Sequence, residues 1–392
     1  MKELIPVKIV FDNNALASAT KWVCSIMDPK NDTASVRMEV KSPSEVVFSS
    51  SSMDGERSMV VPAIIKGMGD MEQPLKLQLP SSALKKVPVQ STSDSVVFSY
   101  ADRQDAGDNR ILVDCGIRLS IPLLSLSGRS LHNMDNMTHV GNLVPADLFN
   151  AVRMLSIISY SEKQLIYTCI DFKTIPSGNV IKAMAIDGCN MSVRDIPYTQ
   201  VSDEAVRFLI TAADVKNLTA ASKSTSVELY VDKKAVAFVF DDGRMARINL
   251  ITIQPAMYEG LIYGDRDESF RFERAGLLSA VSKLSSWNNE PDANITVDPG
   301  TGVMIVSSNT GDWTMQVPVM DCHITGEYSV MFPKAELVKM LQAADSEVLR
   351  AEFDRDNPSR PAFTWSQINQ DGEVDDSVYL MTLPVIKASR NG

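Results

Sequence analysis

Histidine and cysteine, the residues that most often serve as bases, nucleophiles and metal ligands, are sparse in this chain. There are three histidines and five cysteines among 392 residues, and no two cysteines have the C-x-x-C spacing of a zinc or redox site. Cys322 and His323 are adjacent, so in a strand their side chains point to opposite faces. A histidine-based triad and a His/Cys metal centre are both disfavoured. The composition favours a protein that is not an enzyme and has no cofactor.

One enzymatic alternative rests on Asp265 and Asp267, whose carboxylates could hold a divalent cation in a metal-dependent nuclease. Exposed acidic turns are the commoner reason for such a pair. Neither a G-x-x-x-x-G-K-[ST] nor a G-x-G-x-x-G segment is present, so no nucleotide-binding loop is indicated.

The charge balance restricts the partners that the surface can attract. The chain has 38 basic and 49 acidic residues, a formal net charge of −11. A uniformly acidic surface repels nucleic acid and anionic lipid, so contact with DNA would need a segregated basic face. No apolar run approaches the roughly 20 residues that span a bilayer, and the N-terminus lacks a secretory apolar segment. We expect a cytoplasmic protein with no membrane partner.

Three amphipathic helices recur at near-constant spacing and indicate an internal repeat. They begin at residues 14, 146 and 274, so their spacing is 132 and 128 residues. Each has apolar residues at i, i+3 or i+4, and i+7. The predicted helices are Asn14–Met27, Ala146–Ser159 and Arg274–Ser286.

Each of these helices is followed by a strand pair, a second helix and another strand pair. The second helices are predicted at Ser82–Lys86, Ala212–Ser222 and Lys334–Ala344. The order predicts an α+β chain of three topologically similar domains, each with two helices and antiparallel sheets. The predicted domains are residues 1–136, 137–263 and 264–392.

Several segments of the last two thirds resemble the bacterial DNA polymerase III β subunit, the sliding clamp. Ala185–Val193 (AIDGCNMSV) resembles the family's A-T-D-G-H-R-L-A-V segment, and the stretch around Pro255 resembles its L-I-x-G-x-F-P-D-Y. Val378–Pro384 (VYLMTLP) resembles the closing Y-V-V-M-P, and Phe332–Leu341 falls where the family's last helix begins. Identities are sparse, as in a divergent member that a virus or plasmid could encode.

The resemblance implies a DNA clamp fold and a head-to-tail homodimeric ring around double-stranded DNA. Such a ring is a processivity factor for a replicative polymerase and needs a weakly binding, basic inner wall rather than sequence readout. Cations on or beside the six helices are the candidates for this wall. They are Lys21, Lys30, Lys85, Lys86, Arg153, Lys163, Lys216, Lys223, Lys283, Lys334 and Lys339.

The resemblance also implies a pocket that receives linear peptides of DNA polymerase and clamp-loader subunits. Carried over by position, its residues are Tyr167, Ile186, Gly188, Cys189, Asn190, Met191, Pro255, Gly260, Met381, Thr382, Leu383 and Pro384. Ile186, Cys189, Asn190 and Met191 replace the family's usual Thr, His, Arg and Leu. Two rim donors are thereby lost, so the peptide motif is expected to differ from the standard one.

Self-association in the family pairs an edge strand of the first domain with one of the last. Arg110–Ile121 is the candidate edge, with Ile117 and Leu119 at the dimer interface. The altered 186–191 segment keeps a second hypothesis open, a clamp-fold interaction module or decoy that binds replication-protein peptides without encircling DNA.

Overall fold

The structure is a computed structural model that describes most of the chain. The described residues are 7–28, 31, 34–67, 74–100, 109–126, 134–159, 164–219, 223–262, 264, 266–287, 289–355, 357 and 361–385. No helix in these ranges is long and apolar enough to cross a bilayer.

Six α-helices and twenty-four β-strands are formed by the described residues, in three successive sets of ten elements. The first set is β1 (Val7–Asp12), α1 (Asn13–Val23), β2 (Ser35–Ser42), β3 (Glu45–Ser51), β4 (Gly55–Lys66), β5 (Lys76–Pro80), α2 (Ser81–Gln90), β6 (Ser95–Tyr100), β7 (Arg110–Asp114) and β8 (Arg118–Pro122). The second set is β9 (Thr138–Leu143), α3 (Pro145–Ile158), β10 (Cys169–Ile175), β11 (Val180–Ile186), β12 (Asn190–Gln200), β13 (Arg207–Thr211), α4 (Ala212–Lys216), β14 (Val227–Val231), β15 (Ala235–Phe240) and β16 (Arg244–Asn249). The third set is β17 (Glu268–Glu273), α5 (Arg274–Trp287), β18 (Asp292–Asp298), β19 (Val303–Ser307), β20 (Thr314–His323), β21 (Tyr328–Pro333), α6 (Lys334–Ala343), β22 (Val348–Phe353), β23 (Phe363–Ile368) and β24 (Val378–Thr382).

The order strand–helix–strand–strand–strand occurs six times, twice in each set. Every described strand ladder is antiparallel, and the same pairings recur: β2 with β5, β10 with β13, and β18 with β21. The predicted α+β class with antiparallel sheets is therefore confirmed.

By their contacts the described residues form two compact units. The first contains residues up to Pro145 together with Gln200–Asp203 and Asn217–Leu250, and the second contains the remainder. The division into domains 1–136, 137–263 and 264–392 stays a prediction.

Several helices begin at a capping residue or a proline, and each buries an apolar stripe. In α1 the Asp12 carboxylate accepts a hydrogen bond from the backbone N–H of Ala15 at 2.9 Å, an N-cap, and Leu16 and Val23 are fully buried. Aromatic side chains fill both cores: Phe11 packs on Phe98 at 5.3 Å in the first unit.

Three helix ends differ from prediction by four residues or more. α1 was predicted to reach Met27 but ends at Val23 and continues as a 3₁₀ turn, Cys24–Ile26. α2 runs to Gln90 although it contains Pro88. A proline in the last turn removes only one backbone hydrogen bond, and the helix still buries Leu84 and Val87. α4 ends at Lys216 and continues as a 3₁₀ turn, Asn217–Thr219, since Asn and Thr are poor helix formers. Tyr167 lies in a 3₁₀ turn, Leu165–Thr168, before β10.

Two seams join last strands of these repeats. In the first unit β16 pairs with β4, from Arg244 opposite Met59 to Ile248 opposite Gly55. In the second unit β24 pairs with β12, from Asn190 opposite Thr382 to Arg194 opposite Val378. The first residues of β4 and β12 are consequently buried along both seams.

The two remaining last strands, β8 and β20, have open edges. β8 pairs with β7, and the first half of β20 pairs with β19. On its other edge β20 pairs with β17 from Val319 to His323, and one bridge joins Gln78 to Leu124 just beyond β8. No ladder among the described residues covers the other edge of β8 or of the first half of β20. Thr314, Gln316 and Pro318 are exposed, whereas the first four residues of β4 and of β12 are buried.

Candidate functional site

Seven of the nominated cations have exposed side chains on or beside the helices. They are Lys21, Lys85, Lys86, Arg153, Lys216, Lys223 and Lys283. Arg153 is oriented by a 2.9 Å hydrogen bond that it donates to the Asn150 side chain one turn earlier. Lys30 and Lys163 lie outside the described residues.

The two nominated cations of α6 are placed differently. Lys334 has only 6% of its surface exposed, so its ammonium cannot meet a phosphate in this arrangement. Lys339 lies 3.2 Å from a carboxylate oxygen of Asp187 and 3.0 Å from one of Glu336. Its charge stabilises a turn of the second unit, and we leave both lysines out of the proposed DNA contact.

The nominated pocket residues gather around the hairpin between β11 and β12. Asp187 N–H donates to Asn190 O at 3.1 Å, which closes the turn, and Gly188 has φ of +94°. A side chain at Gly188 would come within 3.3 Å of the Tyr167 hydroxyl oxygen, so this position needs glycine for both conformation and space. Tyr167 is thus brought to the turn.

The hairpin continues into the seam with β24. Met191 lies opposite Met381, and Leu383 N–H donates to Cys189 O at 2.9 Å. Asn190, Met191, Met381 and Thr382 are all buried in this ladder. They form the floor of the site rather than its accessible surface.

An apolar cluster lies behind this floor. Met184, Met191, Val193, Tyr258, Ala362 and Met381 are buried together, with Leu383 packed against them. Burial raises the pKa of Tyr258 to about 12, so its hydroxyl stays neutral. The accessible part consists of the half-buried Ile186, Cys189, Leu383 and Pro384.

Two of the residues nominated from the resemblance, Pro255 and Gly260, lie in the segment that follows β16. Pro255 is half-buried in the segment after β16, and Gly260 is exposed in the 3₁₀ turn Glu259–Leu261. A side chain at Gly260 would point into open space, since no heavy atom of the described residues lies within 4 Å of where its Cβ would stand. No close approach therefore explains a glycine there.

A polar network that the sequence did not reveal anchors the turn to α6. Asn190 donates to Glu336 at 2.9 Å and accepts from the Thr382 hydroxyl at 2.8 Å, while its backbone N–H donates to Asp187 at 2.7 Å. In the sequence, only the i,i+3 spacing of Glu336 and Lys339 pointed to an ion pair within this network.

The pKa values of the two carboxyl groups in this network, those of Glu336 and Asp187, are shifted in opposite directions. Burial and the nearby Asp187 charge raise the pKa of Glu336. Burial opposes ionisation of Asp187 as well, but the backbone N–H groups of Asn190 and Cys189 keep the pKa of Asp187 below its usual value. Asp187 is therefore the ionised partner of Lys339.

The candidate edge residues lie at and near the turn between β7 and β8. Ile117 is exposed in that turn, and Leu119 is half-buried opposite Val113. Asp267 donates its backbone N–H to Asp354, and Asp265 lies outside the described residues. No group of three His, Cys, Asp or Glu side chains in the described part of the chain could hold a metal ion.

Neither a protein-family model nor a curated protein matches the chain. Solved structures do match over nearly its full length. The DNA polymerase sliding clamp from Bacillus subtilis is 16% identical with a TM-score of 0.81, covering 98% of this chain and 100% of that one. The β subunit from the DNA polymerase of Streptococcus pyogenes is 14% identical with a TM-score of 0.82, covering 97% and 100%. The DNA polymerase III β subunit from Pseudomonas aeruginosa is 12% identical with a TM-score of 0.81, covering 96% and 99%. The chain therefore has the fold of the bacterial DNA polymerase III β sliding clamps.

Proposed function

We propose that the protein is a DNA sliding clamp, a non-enzymatic processivity factor that encircles duplex DNA as a homodimer. The observation that carries the proposal is the unused pair of strand edges. Four of the six last strands are paired in two seams, and β8 and β20 are left over. A second copy can supply both missing partners, β20 for β8 and β8 for β20, which closes a ring through two identical interfaces.

The directions in which alternate backbone N–H groups of β8 and β20 point support this pairing. Val319 N–H donates to Gly302 O on the β19 side, so the N–H groups of Thr314 and Gln316 face the open edge. Leu123 N–H donates to Asn109 O, so Arg118 and Ser120 direct theirs away from β7. In the β4–β16 seam the corresponding outward group, Val60 N–H, bonds to Gly243 O at 3.0 Å.

Prolines mark where the proposed ladder ends. Pro318 and Pro122 occupy positions whose N–H would otherwise face the open edges. An edge limited in this way discourages indefinite strand addition but leaves room for a short, specific pairing.

The ring would interact with DNA through basic helices and with partners through the hairpin site. That the helices of a chain with net charge −11 carry exposed lysines supports a segregated basic face. The apolar site beside Leu383 and Pro384 suits a linear peptide with Leu or Phe anchors, such as a polymerase or clamp-loader subunit would carry. Tethering of this kind raises local polymerase concentration without making or breaking a bond.

The topological test uses nicked circular plasmid. Dissociated protein is allowed to assemble with the plasmid, and the complex is isolated by gel filtration in high salt. We expect a particle of about 86 kDa, twice the 43.1 kDa chain, that stays on circular DNA and is released when a restriction enzyme linearises it. A stable monomer would refute the ring, and a dimer that binds peptides but never circular DNA would favour the interaction module.

A single substitution in β20 tests the proposed strand pairing separately. Gln316→Pro removes an outward N–H but no bond to β19, so we expect the dimer dissociation constant to rise at least about tenfold. Gln316→Thr keeps the N–H and is the matched control. Equal dissociation constants for the two variants, by sedimentation equilibrium, would exclude β20 from the interface.

A further inference from the structure

A cavity of about 380 Å³ lies beside the hairpin site in the second unit. It is found where β23 and β24 separate, since the ladder between these strands consists only of Phe363 opposite Thr382 and Thr364 opposite Met381. The loop that leads from β23 into β24 lines one side of the cavity through residues 374–377. Its walls are therefore formed by strands of the sheet and by one short loop.

The cavity and the hairpin site have two wall residues in common. Val193 is buried in the apolar cluster behind the hairpin, Tyr379 packs against that cluster, and both also line the cavity. They lie opposite each other in the seam between β12 and β24, where the Tyr379 hydroxyl donates to Leu261 O at 2.9 Å. A ligand in the cavity would therefore lie next to a peptide in the hairpin site.

The cavity is lined by more carboxylates than cations. The charged side chains in its walls are Lys182, Arg350, Asp195, Glu352, Asp375 and Asp376. Lys182 lies 2.8 Å from Asp195, its neighbour on the adjacent strand, and Arg350 lies 3.4 Å from Glu352. Each cation thus has a carboxylate partner within the cavity, and two negative charges remain.

The two remaining carboxylates belong to Asp375 and Asp376, in the loop before β24. Asp375 accepts hydrogen bonds from the backbone N–H and the hydroxyl of Ser377, which hold it in place, and Asp376 is exposed. Val374 and the ring of Tyr379 add apolar surface to the same cavity. A ligand that matches these walls has a positive charge at the end of an apolar stem, as lysine and arginine side chains do.

We propose that this cavity receives an arginine side chain of the linear peptide that binds at the hairpin site. Arginine suits it better than lysine because a planar guanidinium can pair with a carboxylate through two hydrogen bonds and stack on an aromatic ring such as that of Tyr379. This inference rests on the proposed function, since it presupposes a bound peptide.

The cavity adds selection by charge to the selection by shape at the hairpin. The accessible residues of the hairpin site carry no charge; they are Ile186, Cys189, Leu383 and Pro384. Tyr379 and Leu383 are four residues apart at the end of β24, a distance of about 13 Å at about 3.3 Å per residue. An extended peptide covers this distance in four residues, so we expect the arginine about four positions from the apolar anchor.

Binding of fluorescently labelled synthetic peptides tests this selection. Each peptide has a Leu-Phe anchor, and the residues four positions before and four positions after it are both Arg, both Gln or both Glu. We expect the wild type to bind the Arg peptide at least about fivefold more tightly than the Gln peptide in fluorescence anisotropy, and the Glu peptide most weakly. Added salt should reduce this preference, because the charges are partly exposed.

Two double variants locate the contact. Asp375→Asn/Asp376→Asn removes the excess charge, so we expect the preference for Arg over Gln to fall below about twofold while the Gln peptide binds as before. Asp371→Asn/Glu373→Gln is the matched control, since these exposed residues of the same loop do not line the cavity, and it should keep the preference. Asp376→Lys should reverse the order, so that the Glu peptide binds more tightly than the Arg peptide.

The outcomes separate this inference from the proposed function. If the wild type binds all three peptides equally, or if both double variants lose the preference alike, only the arginine site is refuted. If the Glu peptide binds the wild type most tightly, the inference is overturned in favour of Lys182 and Arg350 as ligands of an acidic peptide. If none of the peptides binds, the proposed peptide site at the hairpin fails as well.

Discussion

The ion pair between Arg266 and Asp354 lies in the interior of the second unit. Their side chains are 1% and 4% exposed, and Arg266 Nη1 lies 2.9 Å from Asp354 Oδ2. Arg266 also donates to Ala362 O at 3.0 Å, and Asp354 accepts from Asp267 N–H. Asp354→Ala would leave a guanidinium in the interior without its counter-charge. We expect a loss of about 3–5 kcal/mol in the free energy of unfolding.

Equilibrium unfolding in urea measures this loss. With an m value of about 2–3 kcal/mol/M, the midpoint of the transition should fall by about 1–2 M. Trp365, 1% exposed in the same unit, reports the transition through its emission. Lys173→Gln breaks the surface pair with Glu259, where the side chains are 38% and 50% exposed, and should cost less than about 1 kcal/mol.

A double variant separates pairing from packing. Arg266→Met/Asp354→Val replaces the pair by apolar side chains, so we expect it to be more stable than Asp354→Ala alone. If Asp354→Ala costs no more than Lys173→Gln, or if the double variant is the least stable of all, the reasoning about the buried charge is refuted.

Three further predictions concern other contacts. Trp22→Phe removes hydrogen bonds to Ser58 O and Met245 O and an indole whose ring centre lies within 5.4 Å of the Arg57 and Arg244 guanidinium groups. We expect the free energy of unfolding, measured by thermal unfolding, to fall by about 2–3 kcal/mol. Trp287→Phe, at an exposed position, is the control and should lower it by less than about 0.5 kcal/mol. Burial opposes ionisation of Asp345, but the charge and hydrogen bonds of Arg194 keep the pKa of Asp345 below its ordinary value. The ionised carboxylate therefore contributes its full stability above about pH 4, and this contribution is lost as pH falls through the folded pKa. The difference in urea midpoint between wild type and Asp345→Asn should shrink below that pH, and a constant difference would contradict the linkage. Gly188→Ala should cost about 1–2 kcal/mol and weaken peptide binding in a titration, because of its positive φ and the Tyr167 hydroxyl; unchanged stability would contradict the strain.

Much of the fold follows from local patterns in the sequence. The amphipathic spacing of the first helices predicted α1, α3 and α5 to within a few residues because each buries one continuous stripe. The second helices were harder, since α4, predicted over Ala212–Ser222, ends after five residues at Lys216. The seams could not be predicted from periodicity at all: strand pairing between distant residues is decided by edges that only the assembled sheets expose.

The candidate site divides in the same way. The Asp-Gly turn and its glycine are local features of the sequence, and the structure places Tyr167 beside Gly188. Lys334 and Lys339 were nominated by helix position alone, and neither burial nor an ion pair with Asp187 is visible in a one-dimensional pattern. Residues whose role depends on contacts far along the chain need the structure.

One of the replacements at the hairpin site, Asn190, has a structural role. The Asn190 side chain directs its amide group to Asp187 and Glu336, and its oxygen accepts from Thr382. With these bonds made and 1% of its surface exposed, Asn190 has no donor left for a bound peptide. Its role is to hold the turn on α6. If a peptide binds here, its recognition must depend on the apolar surface around Leu383 and on backbone groups, which select a partner by shape more than by charge.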